Sequence, residues 1–351
     1  MSLVNMDPPR SSSEVNPNAQ IRAIFRDGSG RLHLDWPVDQ LEEAKADQDG
    51  TLWVDIYNPS WNLSQELEEL LCRVFQFHPL AIEDAVKDTH VARVDDWTDY
   101  LYVAFHSIDF DPDTDTVRLH EVDLFLGKNY LISYHNEHLP VLDQLLLNIQ
   151  RDPDNRLKHG AGHLLYHVLD MCVADYFPAI EHLDDAIDAA QDEVFENPNP
   201  QTLQAIFQVK RSALRLYRVL APERELLNRL ARDEYPLINA EHRVYFRDVY
   251  DHLVRIHDIT ESLRDLISGA LDTYLSAISN RTNEIMKALT LVTVMFLPLS
   301  FLTSFFGMNF FGATLEFQSW FPKYLLFGGS CFIMIVLPVV LYWVARHRGW
   351  F

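Results

Sequence analysis

The sequence predicts an α+β fold: an N-terminal cytoplasmic α/β domain, a long helical hairpin, a very long stalk helix entering the membrane, and two C-terminal transmembrane helices. Three observations predict it. Residues 21–135 alternate as short strands do. From about residue 138 the period is helical, and no proline occurs between Pro236 and Pro298. The C-terminal end holds two long stretches without a charge.

Residues 1–20, MSLVNMDPPRSSSEVNPNAQ, lack the apolar centre of a signal peptide and read as a flexible polar lead. Residues 21–136 form the α/β domain. Its strand-like runs are IRAIF, RLHLDW after the DGSG turn, LWVDIY, YLYVAFHSIDF, HEVDLFLG and YLISYH. SQELEELLCRVF and HPLAIEDAV interrupt them as helices.

Residues 137–285 form a helical domain. NPNP at 197–200 breaks it once, giving an antiparallel hairpin of two long helices. The stalk helix then runs from about 237 to about 306, roughly 100 Å at about 1.5 Å per residue. Val249, Leu253, Ile256, Thr260, Leu263, Ile267, Leu271, Tyr274 and Ile278 mark a coiled-coil-like stripe along it. Such a stripe needs a partner, and the expected partner is another copy of the same helix.

Residues 286–351 form the membrane part. The first span is placed at about 286–306 and the second at about 324–345, each close to the length of about 20 residues that crosses hydrocarbon. Pro298 and Pro338 are tolerated in membrane helices. The loop 307–323 is rich in aromatic residues, as at a membrane interface. Arg281 and Lys287 flank the first span, and Arg346 and Arg348 follow the second in a basic tail. Lys323 in the loop is offset by Glu316. The excess of basic residues puts both termini in the cytoplasm of a multi-pass protein of the plasma membrane.

Composition narrows the function. The chain is 48% hydrophobic, so it is not a disordered polymer. Its formal charge of −22 is concentrated upstream of the membrane part, where residues 1–285 carry about −25. An acidic body repels phosphates, which excludes a nucleic-acid partner, and attracts cations. Cys72, Cys172 and Cys331 are odd in number and widely spaced, as in a reducing compartment. No catalytic triad, phosphate loop or redox motif is present, so no enzyme is expected.

Two side-chain patterns bear on cation handling. Asp272, Ser276, Ser279, Asn283, Met286, Thr290, Thr293, Leu297, Ser300 and Ser304 recur at three and four, ending near Asn309. Small and hydroxylated residues in this pattern either pack membrane helices closely or line a polar pathway. His159, His163 and His167 lie at i, i+4 and i+8, a spacing able to ligate zinc. No Cys or carboxylate near them in sequence completes a set, which favours a solvated or packed stripe.

The triplet Gly307-Met308-Asn309 follows the first span directly. With two C-terminal spans and a large acidic body, the chain resembles the CorA family of divalent-cation channels. HPLAIEDAV, YFRDVYDH, LDTYLSAISNRTNEIMKALT and FGMNF carry the resemblance over nearly the whole chain. Phe306 departs from the Tyr common before that glycine, and the tail ARHRGWF is less lysine-rich than in some members.

The resemblance implies a funnel-shaped homopentamer that passes hydrated Mg2+, and also Co2+ or Ni2+, down the membrane potential. Gly307, Met308 and Asn309 would form its entrance filter. Asn283, Met286, Leu289, Thr293, Leu297, Ser300 and Ser304 would line and gate the pore. Regulatory Mg2+ would bind between neighbouring subunits at Asp84 and Asp248, with Glu83, Asp170 and His252 bordering a weaker site. Asp272 would form an axial carboxylate ring. Zinc-carrying relatives usually show GIN, so Met308 argues against them. A membrane-anchored, non-conducting metal sensor is the remaining alternative.

Overall fold

The structure is a computed structural model that describes residues 19–87, 91–307 and 320–347. The chain divides into two compact units. One comprises residues up to Asp192 together with Asn199–Ala270, and the other comprises Glu193–Pro198 together with residues from Leu271 onward.

The first unit is built on a seven-stranded mixed sheet in the order β2-β1-β3-β7-β6-β5-β4. The strands are β1 (Gln20–Arg26), β2 (Leu32–His33), β3 (Thr51–Tyr57), β4 (Arg93–Asp96), β5 (Leu101–Asp111), β6 (Thr116–Leu126) and β7 (Tyr130–His135). Among the described residues only β3 and β7 pair in parallel, Leu52 opposite Tyr130 through Tyr57 opposite His135. Parallel pairing needs a long crossover. Here the crossover carries three strands and two helices.

Six strands follow the runs read from sequence. RLHLDW yields only the two residues of β2. β4 was not expected, because RVDD buries Val94 alone and shows no apolar alternation.

Helices α1 (Leu41–Ala46), α2 (Gln65–Glu69) and α3 (Pro79–Lys87) accompany the sheet. Ser64 caps α2 by accepting the Leu67 amide at 3.2 Å. A π-turn, Leu70–Val74, continues it. Aromatic rings dominate the core. Phe77 stacks on Phe125 at 4.3 Å, with Tyr100 at 4.6 Å from Phe77 and Tyr102 at 5.1 Å from Phe125.

The helical region breaks more often than the sequence reading allowed. Helices α4 (Pro140–Arg151) and α5 (Pro153–Leu157) precede the hairpin. Pro153 lacks the amide that would continue α4, and Asp152 caps α5 by accepting from Asn155 at 3.3 Å. Gly160, at φ 86°, takes the left-handed turn that admits α6 (Ala161–Glu196). Asn199 then caps α7 (Pro200–Arg232) with bonds from the Gln201 and Thr202 amides at 2.7 and 3.0 Å. Buried polar groups tie this hairpin to the sheet. Glu223 accepts from the His106 amide at 3.2 Å and from the Tyr176 hydroxyl at 3.0 Å.

The long helix α8 (Arg243–Gly307) is continuous over 65 residues, and it corrects one expectation. The upper stripe, from Val249 through Leu253, Ile256, Thr260, Leu263 and Ile267, is buried in the single chain, each residue at most 4% exposed. Residues of α8 beside the stripe meet α6 and α7 of the first unit, Phe246 against Tyr166 and His257 against Tyr217. This stripe therefore gives no argument for copies of the chain. A period of three and four shows that one helix face is apolar without saying what covers it.

In the second unit the situation is reversed. An 18-residue window of α8 reaches a mean hydropathy of 2.0, and none of it is buried. Among the described residues α8 is the one helix long and apolar enough to cross a membrane. Helix α9 (Trp320–His347) carries a shorter apolar stretch, Gly328–Val344. The hairpin turn also belongs to this unit, where Arg281 Nη1 donates to Asn197 Oδ1 at 3.4 Å and to the Pro198 carbonyl at 3.3 Å.

Candidate ion pathway and metal sites

Asn283, Met286, Leu289, Thr293, Leu297, Ser300 and Ser304 are all exposed on the membrane-length part of α8. Asp272 is exposed below them. Large apolar groups stand open among the polar ones, Met286 at 55%, Leu289 at 59% and Leu297 at 65%. Such exposure is unfavourable in water and calls for lipid or protein around it. The Thr290 and Thr293 hydroxyls donate to the Met286 and Leu289 carbonyls at 2.7 and 2.9 Å. Each hydroxyl thereby satisfies its proton inside the helix and keeps lone pairs facing outward.

Gly307 is the last residue of α8. Its φ is not in the left-handed region, and a Cβ built there would meet nothing within 4 Å. Met308 and Asn309 lie outside the described residues.

The predicted regulatory carboxylates are distributed over three helices. On α3, Ala81, Ile82 and Ala85 are buried, which leaves Glu83 exposed and Asp84 half-exposed. Both are already ion-paired within the chain. Glu83 pairs with Lys87, and Arg93 Nη2 donates to Asp84 Oδ2 at 2.5 Å. Arg93 is shared with Asp95, whose Oδ2 lies 3.1 Å from Nε.

Asp170 on α6 sits near Asp248 and His252 on α8. Burial and the Asp248 charge raise its pKa, and His252 opposes them. A cation placed near Asp170 would relieve that repulsion. Asp170 thus feels the charges of Asp248 and His252, while Glu83 and Asp84 have cationic partners of their own.

The tertiary structure adds a group that sequence reading missed. His257, Asp258 and Glu261 bring one ligand atom each to within 4.8 Å of one another. Their i, i+1, i+4 spacing was the available signal, hidden because His257 reads as one more residue of an apolar face.

The histidine stripe resolves as packing. His163 and His167 are buried, with rings 4.4 Å apart, and His163 also meets His242 at 5.5 Å and Tyr245 at 5.2 Å. Arg156 Nη1 donates to His167 Nδ1 at 2.7 Å, which requires a neutral imidazole. Burial first, then neighbouring positive or potentially positive groups, pushes the His163 pKa down to about 4 and that of His167 down to about 3.

These shifts predict an acid dependence. Below the ordinary histidine value near 6.5 the unfolded chain takes up protons that the folded chain refuses until about pH 4. The stability contribution is therefore complete above pH 6.5 and is lost as pH falls towards 4. Thermal unfolding of the purified protein should show a lower Tm at pH 5 than at pH 7, and His167→Gln should flatten that slope. An equal slope in His167→Gln would remove His167 as the cause.

A mixed-sheet domain and one helix with an unburied window long and apolar enough to cross a membrane are the features that set the class of this protein. The chain belongs to the CorA-like Mg2+ transporter protein family, whose sequence profile matches residues 48–347. This is a family of transporters rather than enzymes. The chain is 33% identical over 325 residues to the cobalt/magnesium transport protein CorA of Thermotoga maritima, covering 90% of this chain and 91% of that one. The CorA magnesium transporter structure from Methanocaldococcus jannaschii superposes with a TM-score of 0.76 at 21% identity, over 94% of this chain and 98% of that one, and shows the shared fold. The zinc transport protein ZntB of Yersinia enterocolitica is 24% identical over 265 residues, 74% of this chain and 76% of that one.

Proposed function

We propose that this protein is a homopentameric channel for passive uptake of hydrated Mg2+, admitting Co2+ or Ni2+ as well. The observation that carries this reading is the exposed face of α8, polar and apolar by turns, on a helix whose apolar window is not buried by its own chain. Copies of α8 around an axis would enclose that face, while α9 and lipid would cover the remainder. The domain reading belongs to the same proposal: residues 21–136 and 137–285 in the cytoplasm, spans at about 286–306 and 324–345, the loop 307–323 outside, and both termini inside.

The chemistry follows from hydration. Mg2+ dehydrates reluctantly, so a conducting path should accept hydrogen bonds from its water shell rather than replace it. Thr293, Ser300 and Ser304 offer oxygen lone pairs for this. Met286, Leu289 and Leu297 would close the path by excluding water. A potential of about 100 mV, negative inside, supplies about 4.6 kcal/mol per divalent ion, so no other energy source is required.

Similarity to zinc transport proteins favours a second reading, zinc passage through the same fold. Met308, in place of the isoleucine of GIN, weighs against it. A non-conducting sensor would leave the hydroxylated face of α8 without a purpose.

Ion flux into proteoliposomes, compared across Mg2+, Co2+ and Zn2+, tests the proposal. Mg2+ and Co2+ entry driven by an inside-negative potential is the expected result, and Zn2+ alone entering would establish the second reading. In the same assay Met286→Asn or Leu289→Asn should raise leak flux several-fold by wetting the constriction. An unchanged leak in both variants would remove these residues from the gate.

A further inference from the structure

One group of titratable side chains outside the proposed pore and regulatory sites has the donor chemistry of a different ion. His257, Asp258 and Glu261 share one stretch of α8, with all three ligand atoms within 4.8 Å. His257 Nδ1 lies 3.7 Å from Asp258 Oδ1. Two donors bound to one ion at about 2.1 Å each stand about 3 Å apart, so a small rotation of an exposed carboxylate closes the set.

The histidine supplies the independent sign of a ligand. Its residue is 7% exposed, and Nδ1 is buried without a hydrogen-bond partner, a state that native structures seldom leave uncompensated. The ring also packs against α7, 5.2 Å from the Tyr217 ring. Arg264, three residues beyond Glu261, lies over Tyr217 at 4.4 Å. The carboxylates also differ from those on α3. Glu83 pairs with Lys87 and Asp84 with Arg93, whereas among the described residues neither Asp258 nor Glu261 has a Lys or Arg ion pair.

We infer that His257, Asp258 and Glu261 form a binding site for a divalent transition ion, Co2+ or Ni2+ being the fitting class. An imidazole nitrogen with two carboxylates suits these ions, while Mg2+ prefers oxygen donors throughout. The site therefore selects a transition ion against a large excess of Mg2+. Three donors from one helix leave the other coordination positions to water. A bound ion fixes the His257 ring against Tyr217 and so holds α8 to α7. All three residues lie in the first compact unit, and the inference is independent of the proposed pore.

The test uses the full chain purified in detergent and crystallised with CoCl2 in an excess of MgCl2, with data collected at the cobalt edge. An anomalous peak within bonding distance of His257 and both carboxylates is expected. Asp258→Asn/Glu261→Gln changes only exposed side chains and should lose that peak, with at least about tenfold weaker Co2+ binding at this position. His257→Phe keeps a ring against Tyr217 and should lose the peak as well. Absence of the peak in the wild-type crystals, or equal occupancy in the double-carboxamide variant, overturns the inference.

Discussion

Asn309→Ala is expected to reduce Mg2+ uptake to background while the oligomer keeps its wild-type elution on size exclusion. Asn309 follows the end of α8 by two residues, at the mouth of the proposed path. In the proposed oligomer a ring of amide carbonyls there would accept hydrogen bonds from coordinated waters and distinguish a hydrated divalent ion by its shell. A carboxylate ring would attract the ion more strongly and release it more slowly. A methyl group offers no acceptor, so the ion loses its first protein contact while the helix below is untouched. The expected loss is at least about a hundredfold, since several such contacts vanish together and each hydrogen bond to a charged group contributes roughly 1.5–3 kcal/mol. Near-normal flux in this variant would mean that the ion is not recognised at Asn309.

How much of this was legible before folding depends on what each signal reports. Runs rich in β-branched and aromatic residues located β1, β3 and β5–β7, most of which are buried on both faces, and that composition is local in sequence. It missed β4, an edge strand held by backbone pairing to β5 with little apolar surface of its own. Periodicity found α8 at nearly full length, since sixty-odd residues without a helix breaker leave few alternatives.

The stripe from Val249 to Ile267 was visible but its partner was not. It lies against α6 and α7 of the same chain, and only tertiary structure reveals that. The candidate site divides the same way. Asp170, Asp248 and His252 were nameable from their residue types and a family likeness, and Glu83 with Lys87 is an i,i+4 pair that spacing alone allows, yet the ion pair of Asp84 with Arg93 depends on tertiary geometry. Arg93 is nine residues from Asp84 and belongs to the strand that alternation did not detect.

Asp84→Asn/Asp248→Asn is expected to abolish closure of the channel by internal Mg2+ and the Mg2+-dependent protection of the acidic body from protease. In the proposed assembly Asp84 of one subunit faces Asp248 of the next across a hydrated Mg2+ ion. The side chains available in one subunit suit a weak, releasable site. Asp248 is exposed, and Asp84 is half-exposed with Arg93 bonded to Oδ2. Arg93 lowers the affinity of the pair for a second cation by competing for the same charge, which favours release when internal Mg2+ falls. An ion that binds only the closed packing stabilises it by mass action, about 2.7 kcal/mol per interface at a hundred times its dissociation constant. Without the ion, acidic groups across the interface repel and loosen the closed ring. Asparagine at both positions removes the ion's stabilisation of the closed packing while the rest of the acidic body still repels, so the double variant should conduct at internal Mg2+ concentrations that shut the wild type. Protease cleavage should lose its Mg2+ dependence in parallel, with Asp248→Asn alone showing a smaller shift of the midpoint. If the double variant retains the wild-type Mg2+ midpoint in both protease protection and flux, the sensor lies elsewhere, and Asp170 with His252 becomes the pair to substitute next.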